Sequence, residues 1–251
     1  MTLPRPVEGF FEEMGRFFQL VGRIFAWTPR PPYDFRELFR QMVKVGVDSV
    51  PVVFLTALFT GMVLALQTFS VLNRFKAESF VGSLVALSMV RELSAVLSGL
   101  IVAGRAGSAM GAELGTMRVT EQIDALEVMA TDPVHYLAVP RVWATTIMLP
   151  LLVIMGNGVG ILGGYLVAVV LMHANPVAYV DRTFQFMDVG DLFSGVVKSA
   201  VFGFLLAAIG CQQGFYTTGG AEGVGRSTTA AVVVASIAIL ISDFFLTRLL
   251  F

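Results

Sequence analysis

The fold of this chain is decided by residues 104–133, which read GRAGSAMGAELGTMRVTEQIDALEVMATDP. This is the longest polar, charge-bearing segment between apolar runs of the sequence. The sequence on both sides of it is typical of membrane-spanning helices. We therefore expect residues 104–133 to form a platform on the cytoplasmic side of a membrane, where a soluble partner could act on the spans. Its charged residues are Arg105, Glu113, Arg118, Glu121, Asp124, Glu127 and Asp132.

The two halves of this platform carry different patterns. In the first half small residues recur every four positions, which places them on one side of a helix that another helix can approach closely. These small residues are Ala103, Gly107, Gly111 and Gly115. The second half predicts a short helix over about residues 121–131, with Thr120 as its N-cap and Asp132 before Pro133 as its end. A solvated surface helix would show the same spacing, so the pattern alone does not assign a partner to it.

The composition indicates a helical membrane protein. The chain has 251 residues, of which 56% are hydrophobic and 14% are charged, and its mean hydropathy is +0.78. A soluble domain carries about 25% charged residues. The net charge of −1 predicts no nucleic-acid partner. Cys211 is the only cysteine, so no disulfide is expected within the chain.

Residues 8–27 predict an amphipathic helix that precedes the spans. Aromatic and aliphatic side chains fall on one face and charged side chains on the other, which is typical of a helix in the membrane interface. The alternative is a helix packed on a protein partner. The charges in this stretch argue against a cleavable signal peptide. The prolines of residues 28–32 end the helix, and a second short helix is expected near residues 33–47.

Five membrane spans are predicted, which makes the fold all-α and polytopic. Each apolar run provides the ~20 residues that cross a bilayer. The second run is divided in its middle by Arg91 and Glu92, and we expect one continuous span with a charged centre; the alternative is a re-entrant hairpin. The turn-rich residues 217–226 separate the last two runs. The runs cover residues 49–73, 79–104, the part of 142–180 before His173, 192–216 and 227–250.

The distribution of basic residues predicts the orientation of the chain. With the N-terminus in the cytoplasm, eleven Lys and Arg residues lie on the cytoplasmic side and four on the opposite side. The positive-inside rule therefore places the N-terminus in the cytoplasm and, after five spans, the C-terminus outside it. The platform of residues 104–133 then faces the cytoplasm.

Four ionisable residues lie inside the predicted spans, where each costs about 2.5–3.5 kcal/mol unless it meets a partner or a cavity. They are Arg91, Glu92, Lys198 and Asp243. Lys198 and Asp243 have opposite charges at matching depth, so we expect them to pair. One interpretation is that the four residues form ion pairs that only hold the bundle together. The other is a lipid cavity open to the outer leaflet, where the charges meet a head group. The acyl chains would then meet Leu64, Leu66, Phe69, Val71, Leu93 and Val96.

Motifs for catalysis and metal binding are absent from the sequence. It contains no G-x-x-x-x-G-K-S/T phosphate-binding loop, no H-E-x-x-H motif and no G-x-S-x-G motif. Its two histidines, His135 and His173, are isolated. We therefore expect no catalytic residue, no metal site and no cofactor in this chain, and we expect ATP hydrolysis, if it drives the protein, to occur on a partner.

Two overlapping stretches resemble a known family. They are residues 90–109, VRELSAVLSGLIVAGRAGSA, and residues 103–141, AGRAGSAMGAELGTMRVTEQIDALEVMATDPVHYLAVPR. Both are similar to the signature of the MlaE/YrbE permease family, the membrane subunit of MCE-type lipid ABC transporters. The similarity extends from about residue 40 to the end of the chain.

The resemblance implies roles for both sets of charged residues. The segment around EQIDAL would be the coupling helix that docks into a cytoplasmic ATPase, within a coupling segment of about residues 105–140. This segment belongs to a transmembrane domain of residues 48–251, which follows interfacial helices in residues 1–47. The implied coupling residues are Glu113, Arg118, Glu121, Gln122, Asp124, Leu126 and Glu127. The resemblance implies that the four intramembrane charged residues are polar sites at the substrate cavity. Together with the apolar residues expected beside them, the predicted lipid-cavity residues are Arg91, Glu92, Leu93, Lys198, Asp243, Leu64, Phe69 and Val71.

The implied assembly is a homodimer in the bacterial inner membrane, with two ATPase subunits in the cytoplasm and a membrane-anchored MCE-domain protein in the periplasm. A STAS-domain protein is a further implied subunit. The substrate would be phospholipid or a related amphiphile, and the role would be outer-membrane lipid asymmetry. Two other functions fit the residues: an ion-coupled secondary transporter that uses the four intramembrane charges as relays, and a non-transporting scaffold of an envelope complex. The internal repeats that secondary transporters usually show are not visible.

Overall fold

The structure is a computed structural model that describes residues 5–31 and 34–250. Every regular element in these residues is helical. The all-α class and the five predicted spans are confirmed, because five helices in the described part of the chain are long and apolar enough to cross a membrane. The first elements are α1, Arg5–Trp27, α2, Phe35–Val45, and the first span α3, Val50–Leu72.

The second span is one continuous helix from Glu78 to Val119. It consists of three α-helices, which are α4, Val81–Ser88, α5, Ser94–Val102, and α6, Ser108–Val119. Two π-helical segments join them, Met89–Leu93 and Ala103–Gly107. Arg91 and Glu92 therefore lie within a helical turn, and the re-entrant hairpin is wrong. Because the helix passes the predicted end at residue 104, the first half of the platform is the end of this span.

The short helix of the platform, α7, covers Gln122–Val128 and is shorter than predicted. Thr120 is not its N-cap, because Thr120 ends α6 and its hydroxyl donates to the carbonyl oxygen of Thr116 at 2.8 Å. Glu121 occupies the N-cap position instead, and its left-handed φ of 59° turns the chain between α6 and α7. Ala130, with a left-handed φ of 58°, turns the chain again after α7.

The remaining spans are found where they were predicted, but two of them begin earlier: the fourth at Val189 rather than residue 192, and the fifth at Gly220 rather than residue 227. A left-handed residue, His173 (φ 58°), ends the third span at the predicted place. The predicted loop of residues 217–226 is wrong in length, because the fourth span ends at Phe215 and the last helix begins at Gly220. The turn between them ends at Gly219 and Gly220, which have φ values of +91° and +65°. The elements are α8, Val139–Tyr165, α9, Pro176–Phe186, α10, Val189–Phe215, and α11, Gly220–Leu250.

Small residues bring the spans together within the chain. A Cβ built on Gly111 lies 3.3 Å from the Cβ of Ala231, so α6 packs closely on α11. A Cβ built on Gly61 would overlap the carbonyl oxygen of Gly160, so the backbones of α3 and α8 are in direct contact. Gly111, in the predicted stripe of small residues, and Gly160 are therefore covered by helices of the same chain rather than open to a second copy.

Helix α1 packs on the bundle with one face and exposes aromatic rings on the other. Ile24 is completely buried, and Gln212 of α10 donates to the backbone carbonyl oxygen of Glu13 at 2.9 Å. Phe11 and Phe18 are exposed. The helix thus binds its own bundle and also presents an apolar surface suited to the membrane interface.

Candidate functional site

A charged cluster lies between the second, fourth and fifth spans. Its centre is Lys198 of α10, which is completely buried. Lys198 Nζ donates to Glu92 Oε2 at 2.7 Å and to Thr247 Oγ1 at 2.7 Å, and it lies 3.3 Å from Asp243 Oδ1. The predicted Lys198–Asp243 pair is confirmed, and Glu92 joins it. Two carboxylates thus share one enclosed ammonium group, which offsets the cost of burying that charge.

The cluster lies toward the ends of the spans that are remote from α7. Lys198 is nine residues after the start of α10, and Asp243 is seven residues before the end of α11. At 1.5 Å per residue, these positions are about 10–14 Å from the helix ends. The other end of α10 is next to α7, since Phe215 and Ile123 line the same pocket.

Arg91 has a different partner from the adjacent Glu92. Its Nε donates to Asp191 Oδ1 at 2.7 Å. Asp191 also caps the start of α10, where Oδ2 accepts from the backbone N–H of Asp188 at 3.2 Å. Arg91 therefore braces α10 while Glu92 reaches Lys198, in agreement with the different directions of adjacent side chains on a helix.

The apolar residues of the predicted cavity do not share one surface. Three of them belong to the apolar cluster around α3 and α4: Leu64, Phe69 and Leu93. Leu66 and Val71 are exposed on the surface of α3. Val96 packs against the larger core of the bundle instead. The structure thus brings only the first three together.

The platform residues form a compact turn at the opposite end of the second span. Ile123 is buried beneath α7. Arg118 Nη1 pairs with Asp124 Oδ1 across the turn between α6 and α7. Gln122 Nε2 donates to Thr120 Oγ1 at 3.0 Å in the same turn. These contacts fix the direction of α7 relative to the second span.

The outer surface of α7 combines charged and apolar side chains. Glu121 and Glu127 are exposed, and Leu126 packs partly against the core. Val128 is 87% exposed and Met129, directly after α7, is 66% exposed. A polar surface that includes large exposed apolar side chains is typical of a protein–protein interface.

Glu113 and Arg105 lie apart from this surface and hold α2 on the bundle. Glu113 pairs with Lys44 of α2, and its Oε2 lies 3.3 Å from Arg141 Nη2 of α8. Arg105 Nη2 donates to the carbonyl oxygen of Val45 at 3.0 Å. The structure therefore separates Glu113 from the other six predicted coupling residues.

Asp132 connects α1 to the segment after α7. Its carboxylate accepts from Arg23 Nη2 at 2.9 Å, from Trp27 Nε1 at 3.1 Å and from the backbone N–H of Val134 at 2.8 Å. Burial raises the pKa of Asp132, but the bonds from Arg23 and the backbone outweigh burial and hold this pKa below its usual value. The sequence identified Asp132 only as the end of a helix, because its partner Arg23 is 109 positions away.

Residues 38–249 match the family model described as Permease MlaE. The chain belongs to the MlaE permease family. A probable ABC transporter permease protein of Rickettsia conorii is 50% identical over 242 residues, which are 96% of this chain and 93% of that protein. The intermembrane phospholipid transport system permease protein MlaE of Haemophilus influenzae is 39% identical over 252 residues, which are 100% of this chain and 96% of that protein.

The family match confirms the resemblance to the MlaE/YrbE permeases that the sequence indicated. As a member of the MlaE permease family, the chain is an ABC transporter permease for lipid, and it is a subunit of a membrane transporter rather than an enzyme. Its two candidate sites, the charged cluster and the α7 surface, lie toward opposite ends of the second span.

Two residues of the charged cluster were missed from the sequence. Asp191 was placed outside the fourth span, which was predicted to begin at residue 192, although α10 begins at Val189. Thr247 carries no charge, so a search for ionisable residues in spans does not find it. Its position four residues after Asp243, on the same helix face, is the signal that could have found it.

Proposed function

We propose that this chain is the membrane subunit of a transporter that moves phospholipid between the bacterial inner membrane and a membrane-anchored MCE-domain protein in the periplasm. A separate cytoplasmic ATPase hydrolyses ATP, and two copies of it bind a homodimer of the chain. A STAS-domain protein is a further subunit. The Haemophilus influenzae relative is an intermembrane phospholipid transport system permease protein, which supports phospholipid as the substrate.

The observation that carries the proposal is the exposed surface of α7. Only residues 120 and 121 separate α6 from α7, and the Arg118–Asp124 pair bridges them. A protein that binds α7 can therefore transmit its movement to the second span without an intervening flexible loop. This is the rigid connection that a transporter needs if movement of a nucleotide-binding partner is to open and close its spans.

Docking of the ATPase requires α7 to face the cytoplasm, with the N-terminus on the same side and the C-terminus in the periplasm. The excess of Lys and Arg on that side supports this orientation. The test is labelling of Thr131→Cys with a membrane-impermeant thiol reagent in a Cys211→Ser background. Labelling from the cytoplasmic side is expected, and labelling of intact cells from the periplasmic side would refute both the orientation and the docking.

The charged cluster receives the phospholipid head group in this proposal. The side chain of Lys198 is 0% exposed, whereas those of Arg91 and Glu92 are 42% and 36% exposed. A partly exposed cation beside a partly exposed anion matches a head group that carries both a phosphate and an ammonium group. The acyl chains meet the apolar cluster of Leu64, Phe69 and Leu93, and Asp243 and Lys198 hold Glu92 in place.

Replacement of Val128 by serine tests the proposal. In proteoliposomes that contain the permease and its ATPase, Val128→Ser should weaken docking by about 2 kcal/mol, roughly 30-fold, if Val128 is a central apolar contact. Permease-stimulated ATP hydrolysis and lipid movement should fall together. Val189→Ser is the matched control, because Val189 is 82% exposed at the opposite end of the bundle.

Two outcomes would contradict the proposal. Equal ATP hydrolysis for Val128→Ser and Val189→Ser would show that the ATPase does not bind α7. Lipid movement that continues without any ATPase and stops when the proton gradient is dissipated would instead indicate an ion-coupled transporter.

A further inference from the structure

Helix α8 lies directly against the second span at its first π-helical segment. A Cβ built on Gly160 would overlap the side chain of Met89, and a Cβ built on Gly156 would lie 3.8 Å from Ser94 Oγ. Asn157 directly follows Gly156 and is on the same side of α8 as Gly160, so it is beside both contacts. Ser94 is 2% exposed and Asn157 is 4% exposed. Two polar side chains are thus buried where α5 packs on α8.

These two side chains have no hydrogen-bond partner in this structure. Among residues 5–31 and 34–250, none is found for Ser94 Oγ, Asn157 Nδ2 or Asn157 Oδ1. Buried polar groups are nearly always hydrogen-bonded in folded proteins, and an unpaired one costs free energy. A hydroxyl and an amide at the same helix contact have the donors and acceptors to satisfy each other. The structure therefore shows this contact with its hydrogen bond unmade.

The π-helical segment explains why the Ser94 hydroxyl is unpaired. A hydroxyl in a helix usually donates to the carbonyl oxygen four positions back, which for Ser94 is that of Val90. That oxygen faces α10 instead, since a Cβ built on Gly195 would lie 2.5 Å from it. The next carbonyl oxygen, of Arg91, accepts from Lys198 Nζ of α10 at 3.2 Å. Helix α10 thus holds the distorted turn, and Ser94 is left with its hydroxyl toward α8.

We propose that Ser94 and Asn157 form a latch between α5 and α8 that is open in this structure and closes in the second state of the transport cycle. In the closed latch the Ser94 hydroxyl donates to Asn157 Oδ1. Helices change direction at π-helical segments, so bending of the second span here moves Ser94 relative to α8. A bond made in one state only shifts the equilibrium toward that state. The latch rests on the proposed function only for the ATP-driven movement that closes it.

The first test asks whether Ser94 and Asn157 meet in the membrane. Ser94→Cys is combined with Asn157→Cys in the full chain with Cys211→Ser, and membranes are oxidised with copper phenanthroline. The Cα atoms of a disulfide lie within about 7 Å of each other, so the cross-link, counted by mass spectrometry after digestion, reports close approach. It should form at least threefold faster during ATP hydrolysis than with ADP. Ser83→Cys with Asn157→Cys is the control and should not cross-link, because Ser83 is about 16 Å along the helix from Ser94.

The second test measures stability and turnover of Ser94→Ala, Asn157→Leu and the double variant. Without nucleotide, each single variant should melt at the wild-type temperature or higher, because it no longer buries an unpaired polar group. ATP-driven lipid movement in proteoliposomes should slow by about three- to tenfold in each single variant. The double variant should be no slower than the slower single variant, because both changes remove the same bond. Ser83→Ala and Thr146→Val are matched controls with unchanged turnover, since these hydroxyls already donate within their own helices at 2.9 Å and 2.8 Å.

Four results would overturn the latch. The first is no cross-link between positions 94 and 157 under either condition, and the second is unchanged turnover in both single variants. The third is a double variant slowed by the product of the two single effects, which would show that the residues act separately. The fourth is a lower Tm of both single variants without nucleotide, which would show that a trapped water already bonds the two groups. A wild type that moves no lipid with ATP would instead refute the proposed function, and the cross-link would still decide whether Ser94 and Asn157 meet.

Discussion

Replacement of Lys198 by methionine tests the charged cluster most directly. The Lys198 ammonium lies 2.7 Å from Glu92 Oε2 and 3.3 Å from Asp243 Oδ1, and its side chain is fully enclosed. Methionine has a similar length and lacks the charge, so it leaves two carboxylates without their cation. Removing one partner of a buried ion pair costs about 3–5 kcal/mol. Because the Glu92 side chain is 36% exposed, water reduces this cost, and we expect about 3 kcal/mol.

The expected loss is large enough to measure by thermal unfolding. For a chain of this size, about 3 kcal/mol corresponds to a fall in Tm of roughly 6–12 °C. Tryptophan fluorescence of the purified chain in detergent reports the transition. Lys76→Met is the control, because Lys76 is exposed in the loop after the first span, where a substitution changes stability by about 0.5 kcal/mol or less.

A double variant separates the charge effect from loss of packing. Lys198→Met combined with Glu92→Gln should recover part of the lost stability, because only one carboxylate is then left without a cation. If Lys198→Met melts within about 2 °C of the wild type, as a surface substitution does, the assignment of Lys198 as the shared cation is refuted.

Two further predictions concern the ion pair between Asp132 and Arg23 and the close backbone contact between Gly61 and Gly160. Asp132→Asn should lower Tm at pH 7. Folding lowers the pKa of Asp132, so the contribution of its carboxylate to stability is fully present above the usual pKa of 3.8. This contribution is lost as the pH falls through the lower pKa of the folded chain. The Tm difference between the variant and the wild type should therefore shrink below that pH, and a constant difference would contradict the ion pair with Arg23. Gly61→Ala should lower the free energy of unfolding by about 1–3 kcal/mol, because the added Cβ overlaps with Gly160. Gly104→Ala is the control: its Cβ would meet nothing within 4 Å, so it should be neutral or stabilising in the same unfolding assay.

The spans could be predicted because long uncharged runs have few alternatives to crossing a membrane. The Lys198–Asp243 pair could be predicted for a related reason, since a buried charge requires an opposite charge at the same depth. The partners of Arg105 and Glu113 could not. Both residues were assigned to the polar platform, whereas in the structure α2 and α8 supply their partners. Composition does not show which distant helix will supply a partner.

The start of α11 was predicted wrongly for a similar reason, because the role of a glycine also depends on contacts that the sequence does not show. The glycine-rich residues 217–226 indicated a long turn. In the structure a Cβ on Gly223 would overlap the carbonyl oxygen of Thr218, so this glycine permits close backbone approach inside a helix. Only Gly219 and Gly220 have the positive φ of a glycine turn. A single sequence does not separate these two uses of glycine, because both depend on what lies next to the Cα atom.

Both candidate sites are connected to the second span, which limits how ATP hydrolysis could act on lipid. Glu92 and Arg118 belong to the continuous second span, and their separation of 26 positions in the sequence corresponds to about 39 Å at 1.5 Å per residue. The helix is not uniform over this distance, since one π-helical segment contains Arg105 and the other contains Glu92. Such segments interrupt the regular backbone hydrogen bonds and are where helices change direction. Arg105 is bonded to α2, and Glu92 to Lys198. If an ATPase displaces α7, bending is therefore concentrated at these two contacts, and the second of them is the ion pair that we assign to the head-group site.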